Sequence, residues 1–145
     1  MNIANHDFGM NDITNSQCII INERNENEMI VTLLLNDAPY GTEKSYNALR
    51  LAMALQKEQP DTEVRVFLMA DAVGCALPNQ VTPQGYYNIE RMIRSVIAKK
   101  GVVRLCGTCA DARGIKGVPL IEGAELGSMA ELAQWTVESD KMVVF

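Results

Sequence analysis

Three short apolar runs punctuate the chain: Ile30 to Leu35, Val64 to Met69 and Val102 to Leu105. Each is nearly continuous rather than alternating, the pattern of a strand covered on both faces. Between them the apolar positions repeat at helical spacing. Ile89, Met92, Ile93, Val96 and Ile97 fall on one helix face, with Asn88 placed to cap the start and Gly101 to stop the end. That spacing predicts a helix over residues 88–100. Another is expected over 42–58, with Tyr46, Leu49, Ala52, Met53 and Leu55 as its apolar stripe. Ser128 and Glu131 form a capping-box pair for a helix over 129–138, with Leu132, Ala133 and Thr136 facing inward and Trp135 at a core or interface position. Residues 124–126 and 142–145 read as a brief fourth strand and a terminal fifth. Strands alternating with helices imply right-handed crossovers, hence a three-layer α/β/α domain with a mostly parallel five-stranded sheet. Residues 71–87, punctuated by Gly and Pro, form the longest irregular stretch. Long loops in compact domains tend to be functional.

Residues 1–28 break this pattern. They hold seven asparagines, the only histidine (His6) and one apolar run, Cys18 to Ile21. Five acidic residues against Arg24 give that segment a net charge of −4, whereas 12 basic and 13 acidic residues give the rest −1. Such a composition supplies little core. It is expected to be a loosely ordered extension of a domain spanning 29–145, with Met29 standing where that domain would start. The domain is long enough to bury a core of its own. No basic stripe marks a nucleic-acid binder, and no apolar stretch approaches the roughly 18 residues of a membrane span. Nor do residues 1–28 show the basic-then-apolar layout of a secretory signal. A cytoplasmic protein without nucleic-acid or membrane partners is expected.

The four cysteines, Cys18, Cys75, Cys106 and Cys109, are too few for a secreted disulfide framework. Cys106-Gly107-Thr108-Cys109 follows directly on the third apolar run and opens into Ala110-Asp111-Ala112-Arg113-Gly114. Two thiols therefore stand where a buried strand turns toward a helix. The edge beyond the carboxyl ends of the strands is where α/β sheets collect ligands. Helix N–H groups and Arg113 would favour a thiolate at Cys106, which is expected to be the most reactive thiol. Three other readings stay open. A zinc half-site lacks its second pair, with only Cys75 and Asp71 or Asp111 to complete it. A thioredoxin-like dithiol has the right spacing but follows the third strand. Two packed, inert cysteines are the plainest alternative. Asn36, Asp37, Tyr40 and Asp71 fall at the same sheet edge and, with Asp111 and Cys75, complete the candidate pocket. Nothing in these residues calls for a cofactor.

The run from Leu105 to Ile115 resembles the signature of the DsrE/DsrF-like sulfur-relay family, most closely its YchN-like branch. The likeness continues, in order, through residues 36–43, 67–73, 85–89 and 131–136, so it spans about 29–145 and leaves 1–28 unmatched. What the resemblance implies is a parallel-sheet α/β fold, a cytoplasmic location and a trimeric or hexameric homo-oligomer. It further implies that Cys106 accepts sulfane sulfur as a persulfide and passes it from a donor protein to an acceptor, as a carrier or sulfurtransferase. Cys109 belongs to the narrower C-x-x-C branch. If close enough, it could attack a Cys106 persulfide, releasing sulfide and leaving a disulfide. The rival functions are a dithiol oxidoreductase using Cys106 and Cys109, and a non-enzymatic oligomeric module binding a small ligand or metal.

If the compact domain is 29–145, deleting residues 1–28 should change unfolding free energy by less than about 1 kcal/mol, the scale of ordinary surface changes. Chemical denaturation of the two chains checks this. A larger loss would make the Cys18–Ile21 run part of the fold.

Overall fold

The computed structural model describes residues 29–145; the Cys18–Ile21 run and His6 lie outside the described residues. Five strands, β1 (Met29–Leu35), β2 (Thr62–Leu68), β3 (Val102–Cys106), β4 (Ala124–Gly127) and β5 (Lys141–Val144), form one sheet in the order β4-β3-β2-β1-β5. Every pairing is parallel. Four helices connect them: α1 (Lys44–Glu58), α2 (Ile89–Ala98), α3 (Gly107–Ala112) and α4 (Met129–Glu138). The α/β/α architecture and the five strands are as expected. The stretch over 71–87 is less irregular than its composition suggests, because Ala70–Ala76 winds into a 3-10 helix with Ala72, Val73, Cys75 and Ala76 buried.

The register assigns side chains to faces. Val31, Leu33 and Leu35 lie beside Val64, Val66 and Leu68, and these beside Val103 and Leu105. All eight are buried and face α1 and α2, which pack side by side. The α1 face turned inward is small, with Ser45, Ala48 and Ala52 around Leu49, while Tyr46, Met53 and Leu55 are only half-buried. Small residues let the helix lie close to the sheet.

The opposite face belongs to α4 and is unusual for a parallel sheet in carrying charge. Arg65 on β2 lies between Glu63 and Glu138, each 2.6 Å away, with its guanidinium over the Trp135 ring. Arg104 on β3 meets Glu131 at 3.0 Å and Glu125 at 3.1 Å. Two α4 carboxylates thus point at the sheet. Trp135 sits between them in the core, edge-on to Phe67. Leu132 and Trp135 are the buried α4 residues, whereas Ala133 and Thr136, expected inside, are exposed. The apolar repeat of α4 is ambiguous, and the arginines on the sheet settle which face turns in. Ser128 does cap the helix, accepting the Glu131 N–H at 3.1 Å. The Glu131 carboxylate is committed to Arg104.

The end of α2 also differs from expectation. Asn88 caps its start by accepting the Arg91 N–H at 3.0 Å. At the other end the left-handed residue is Lys100, with φ 67°, and not Gly101. Gln56 of α1 closes that end, its Nε2 donating to the carbonyls of Val96 (2.9 Å) and Lys99 (3.2 Å). Gly101 is needed for space. A Cβ there would lie 2.5 Å from Val96 Cγ1 and 2.8 Å from the Val96 carbonyl oxygen.

Opposite outcomes are therefore expected at adjacent positions. Gly101→Ala should destabilise the fold by about 1–3 kcal/mol, the range for overpacking. Lys100→Gly should be neutral or stabilising by up to about 1 kcal/mol, because glycine carries no left-handed penalty. Urea denaturation of both variants checks this; a reversal of the two would restore Gly101 as the helix stop.

Candidate functional site

Cys106 is the last residue of β3 and the cap of α3. Its backbone is extended (φ −60°, ψ 110°), and its Sγ accepts the Cys109 N–H at 3.3 Å. The Thr108 hydroxyl lies 3.3 Å from the same sulfur. The helix begins at Gly107, two residues before Cys109, so Cys109 lies within its first turn. The cysteine Cα atoms are 5.2 Å apart and the sulfurs are within bonding distance, a spacing at which a disulfide forms without moving the backbone. Gly107 makes room for this turn: a Cβ there would stand 3.3 Å from the carbonyl oxygen of Gly127, next to Cys106 in the β3–β4 register.

The two sulfurs differ in surroundings. Cys106 is 5% exposed, whereas Cys109 is half-buried and follows the exposed Thr108. Both hydrogen bonds that reach the pair's sulfurs end on Cys106. Cys109 is the more exposed residue, and Cys106 has the more hydrogen-bonded sulfur.

Arg113 closes α3 and anchors it. Its guanidinium meets Asp71 Oδ1 through Nε (2.9 Å) and Nη2 (2.7 Å), and Nη1 donates to the Cys109 carbonyl at 3.2 Å. Asp71 belongs to the 3-10 helix, so the ion pair ties the two loops together across the sheet edge. Both partners are solvent-exposed, and such a pair contributes at most about 1 kcal/mol. Its structural value is in holding the Cys109 carbonyl. Asp111 points elsewhere, to Lys116 at 3.2 Å.

The remaining pocket residues, Asn36, Asp37, Tyr40 and Cys75, bond to partners other than the Cys106–Cys109 pair. The Asp37 carbonyl accepts the Ser45 hydroxyl (2.7 Å) and faces the Cys75 Sγ (4.0 Å). The Thr42 hydroxyl, with Lys44 behind it, holds the Asp37 carboxylate below its ordinary range. Asn36 is tied to the Phe145 carbonyl by backbone and side chain. Tyr40 donates to Gln80 (2.7 Å), accepts the Ile89 N–H (3.2 Å) and stacks on Tyr87. Gln80 is a hub that its sequence position did not announce: its amide nitrogen also donates to the Cys75 and Leu77 carbonyls. Its N–H holds the Glu90 carboxylate below the usual range. A single glutamine in a proline-flanked loop has no periodicity to betray it. Among the described residues no group of three or more His, Cys, Asp or Glu side chains gathers in a way that could hold a metal. No helix among them is long and apolar enough to cross a membrane.

The parallel sheet, the strand-end cysteine pair and the loops around it define a class, and the chain belongs to the DsrE/DsrF-like family, which it matches over residues 29–145. Among particular proteins it is 45% identical to protein YchN of Escherichia coli K12 over 115 residues, 79% of this chain and 97% of that one. A protein of Methanocaldococcus jannaschii is 38% identical over 117 residues, covering 81% of this chain and all of the other. The crystal structure of the E. coli YchN protein superimposes with a TM-score of 0.77 at 44% identity, over 81% of this chain and 99% of that one.

Cys75 is fully buried, and desolvation pushes its thiol up from an ordinary 9.0 to about 12. The folded form therefore holds the proton that the unfolded chain gives up first. Its contribution to stability is intact below about pH 9 and is lost as pH rises toward 12. Hydrogen bonding to Tyr86 and burial move the Tyr87 phenol the same way, from 10.0 to about 12, so the thiol is isolated by comparison with Cys75→Ala. That variant should lose less stability than wild type between pH 9 and 11, and Cys75 should resist alkylation until the chain unfolds. Alkylation of Cys75 in the folded protein at neutral pH would show that it shares the reactive site.

Proposed function

We infer that this chain accepts and transfers sulfane sulfur as a cysteine persulfide on Cys106, with Cys109 as the thiol that resolves it. The carrying observation is the cap geometry: an N–H and a hydroxyl converge on the Cys106 sulfur, the arrangement that favours a thiolate nucleophile. Membership of the DsrE/DsrF-like family supports the same reading. The Cys106 thiolate attacks the outer sulfur of a donor persulfide, forming Cys106–S–SH and expelling the donor thiolate. An acceptor thiolate then takes that sulfur. Alternatively Cys109 attacks the inner sulfur, leaving a Cys106–Cys109 disulfide and releasing hydrosulfide. Arg113 serves as a positioning residue through the Cys109 carbonyl. Donor and acceptor are proteins, and the chain works in the cytoplasm as a homo-oligomer. Support for assembly comes from Met129 and Val137 on the outer side of α4, 60% and 87% exposed, opposite the face whose Glu131 and Glu138 carboxylates meet the sheet.

The 5.2 Å between the Cys106 and Cys109 Cα atoms, a separation that a disulfide spans, favours a second reading, a dithiol oxidoreductase. Intact-mass analysis of the reduced protein after exposure to a sulfane-sulfur donor separates the two. One added sulfur atom is expected on wild type and on Cys109→Ser, retained longer on the latter, and much less in Cys106→Ser, where Cys109 lacks the hydrogen bonds that reach the Cys106 sulfur. Disulfide formation with no retained sulfur in any form would favour the oxidoreductase. Sedimentation showing a monomer at micromolar concentration would contradict the oligomer.

A further inference from the structure

The bridged pair has two ends, and the structure makes them unequal. A disulfide is opened by a nucleophile that bonds to one sulfur and expels the other as a thiolate. Access decides which sulfur is attacked, and the better-stabilised thiolate leaves faster. Here the two criteria agree. Cys106 is 5% exposed at the cap of α3, whereas Cys109, which packs against the core, is only half-buried and follows the exposed Thr108. The Cys109 N–H and the Thr108 hydroxyl converge on Cys106, the sulfur that would carry the charge on leaving. The order is the reverse of a dithiol whose first cysteine faces solvent and whose second is buried.

We propose that this site has a second loading route, in which hydrosulfide opens the Cys106–Cys109 disulfide at Cys109. The S–S bond breaks, a new S–S bond joins the incoming sulfur to Cys109, and the electron pair of the broken bond leaves on Cys106. The products are Cys109–S–SH and the capped Cys106 thiolate. The disulfide is the oxidant, hydrosulfide is oxidised to the sulfane level, and no other reactant enters. The oxidised protein is then a sulfide acceptor and not a spent form. A small anion is the substrate class that suits a half-buried cysteine. The Arg113 guanidinium, which donates to the Cys109 carbonyl, shares its charge with the Asp71 carboxylate.

This route rests on the reading that the pair carries sulfane sulfur, so the experiment has separate arms. Full-length wild-type protein in the disulfide form is mixed with sodium hydrosulfide, quenched quickly with an alkylating agent, and digested with trypsin. The peptide Leu105–Arg113 holds both cysteines, and its fragment ions locate the extra sulfur. The expected result is an alkylated persulfide on Cys109 and a plain alkylated thiol on Cys106. Because sulfur can migrate between the thiols, a second arm compares access alone. At a pH where both thiols are ionised, Cys109 in Cys106→Ser should be alkylated at least about tenfold faster than Cys106 in Cys109→Ser. Extra sulfur on Cys106, an unopened disulfide, or equal alkylation rates would overturn the route. The third arm exposes reduced protein to a sulfane donor. Sulfur retained there with no loading of the bridged form removes only this inference, whereas no retained sulfur in any arm removes the parent reading as well.

Discussion

One residue has to satisfy two backbone patterns at once. Cys106 is the last residue of β3, paired with Gly127 of β4 one position past the end of the β2 ladder, and the cap of the helix that follows. The ladder fixes where its Cα stands, because parallel pairing on both sides of β3 leaves no freedom to slide. The cap fixes where its sulfur points, under the Cys109 N–H. Every other property of the site follows from that double role. Cys109 is brought near because it donates the capping bond, and it is more open because it lies a turn further along. The spacing of the motif is thus the spacing of an N-cap and its third helical residue.

The sheet supplies rigidity from both faces by different means. Under α1 and α2 it is apolar and close-packed. Under α4 it carries two arginines, each gripped by carboxylates and separated by Trp135 on Phe67. Arg104 is two residues before Cys106, and its partner Glu131 lies just after β4, so this network braces the strand that presents the thiol. Ion pairs this exposed, with Glu125 at 66%, contribute little to net stability. Their use here is positional: they choose which side of an ambiguous helix faces the sheet and leave its uncharged side outward.

Much of this was legible in the sequence because it rests on local signals. Continuous apolar runs announced β1, β2 and β3; the spacing from Ile89 to Ile97 announced α2; Ser128 announced the start of α4. The C-x-x-C motif announced the site for the same reason, since a cap and its helix are neighbours in the chain. What stayed hidden depends on distant partners. Ala70–Ala76 folds as a 3-10 helix although Gly74 interrupts it, because four of its side chains are buried between other elements. Trp135 turns inward and Thr136 outward because Arg65 and Phe67 wait on the sheet. Gly101 is required by Val96 and Gln56, and its left-handed neighbour is a lysine. Cys75 is fully buried with its sulfur facing the Asp37 carbonyl, apart from the Cys106–Cys109 pair, and nothing in its sequence position says so. The direction of access between Cys106 and Cys109 was likewise invisible, since spacing says nothing about which sulfur is covered.

The central claim is that the cysteine pair carries sulfur from one molecule to another. It is tested most directly by loading reduced protein from a sulfane donor, removing the donor by gel filtration, and adding a fresh thiol acceptor. The expected result is that the sulfur remains with the protein through filtration, moves to the acceptor as a persulfide, and does both much less in Cys106→Ser. Sulfur that fails to stay with the wild-type chain, or that stays equally with Cys106→Ser, would contradict it.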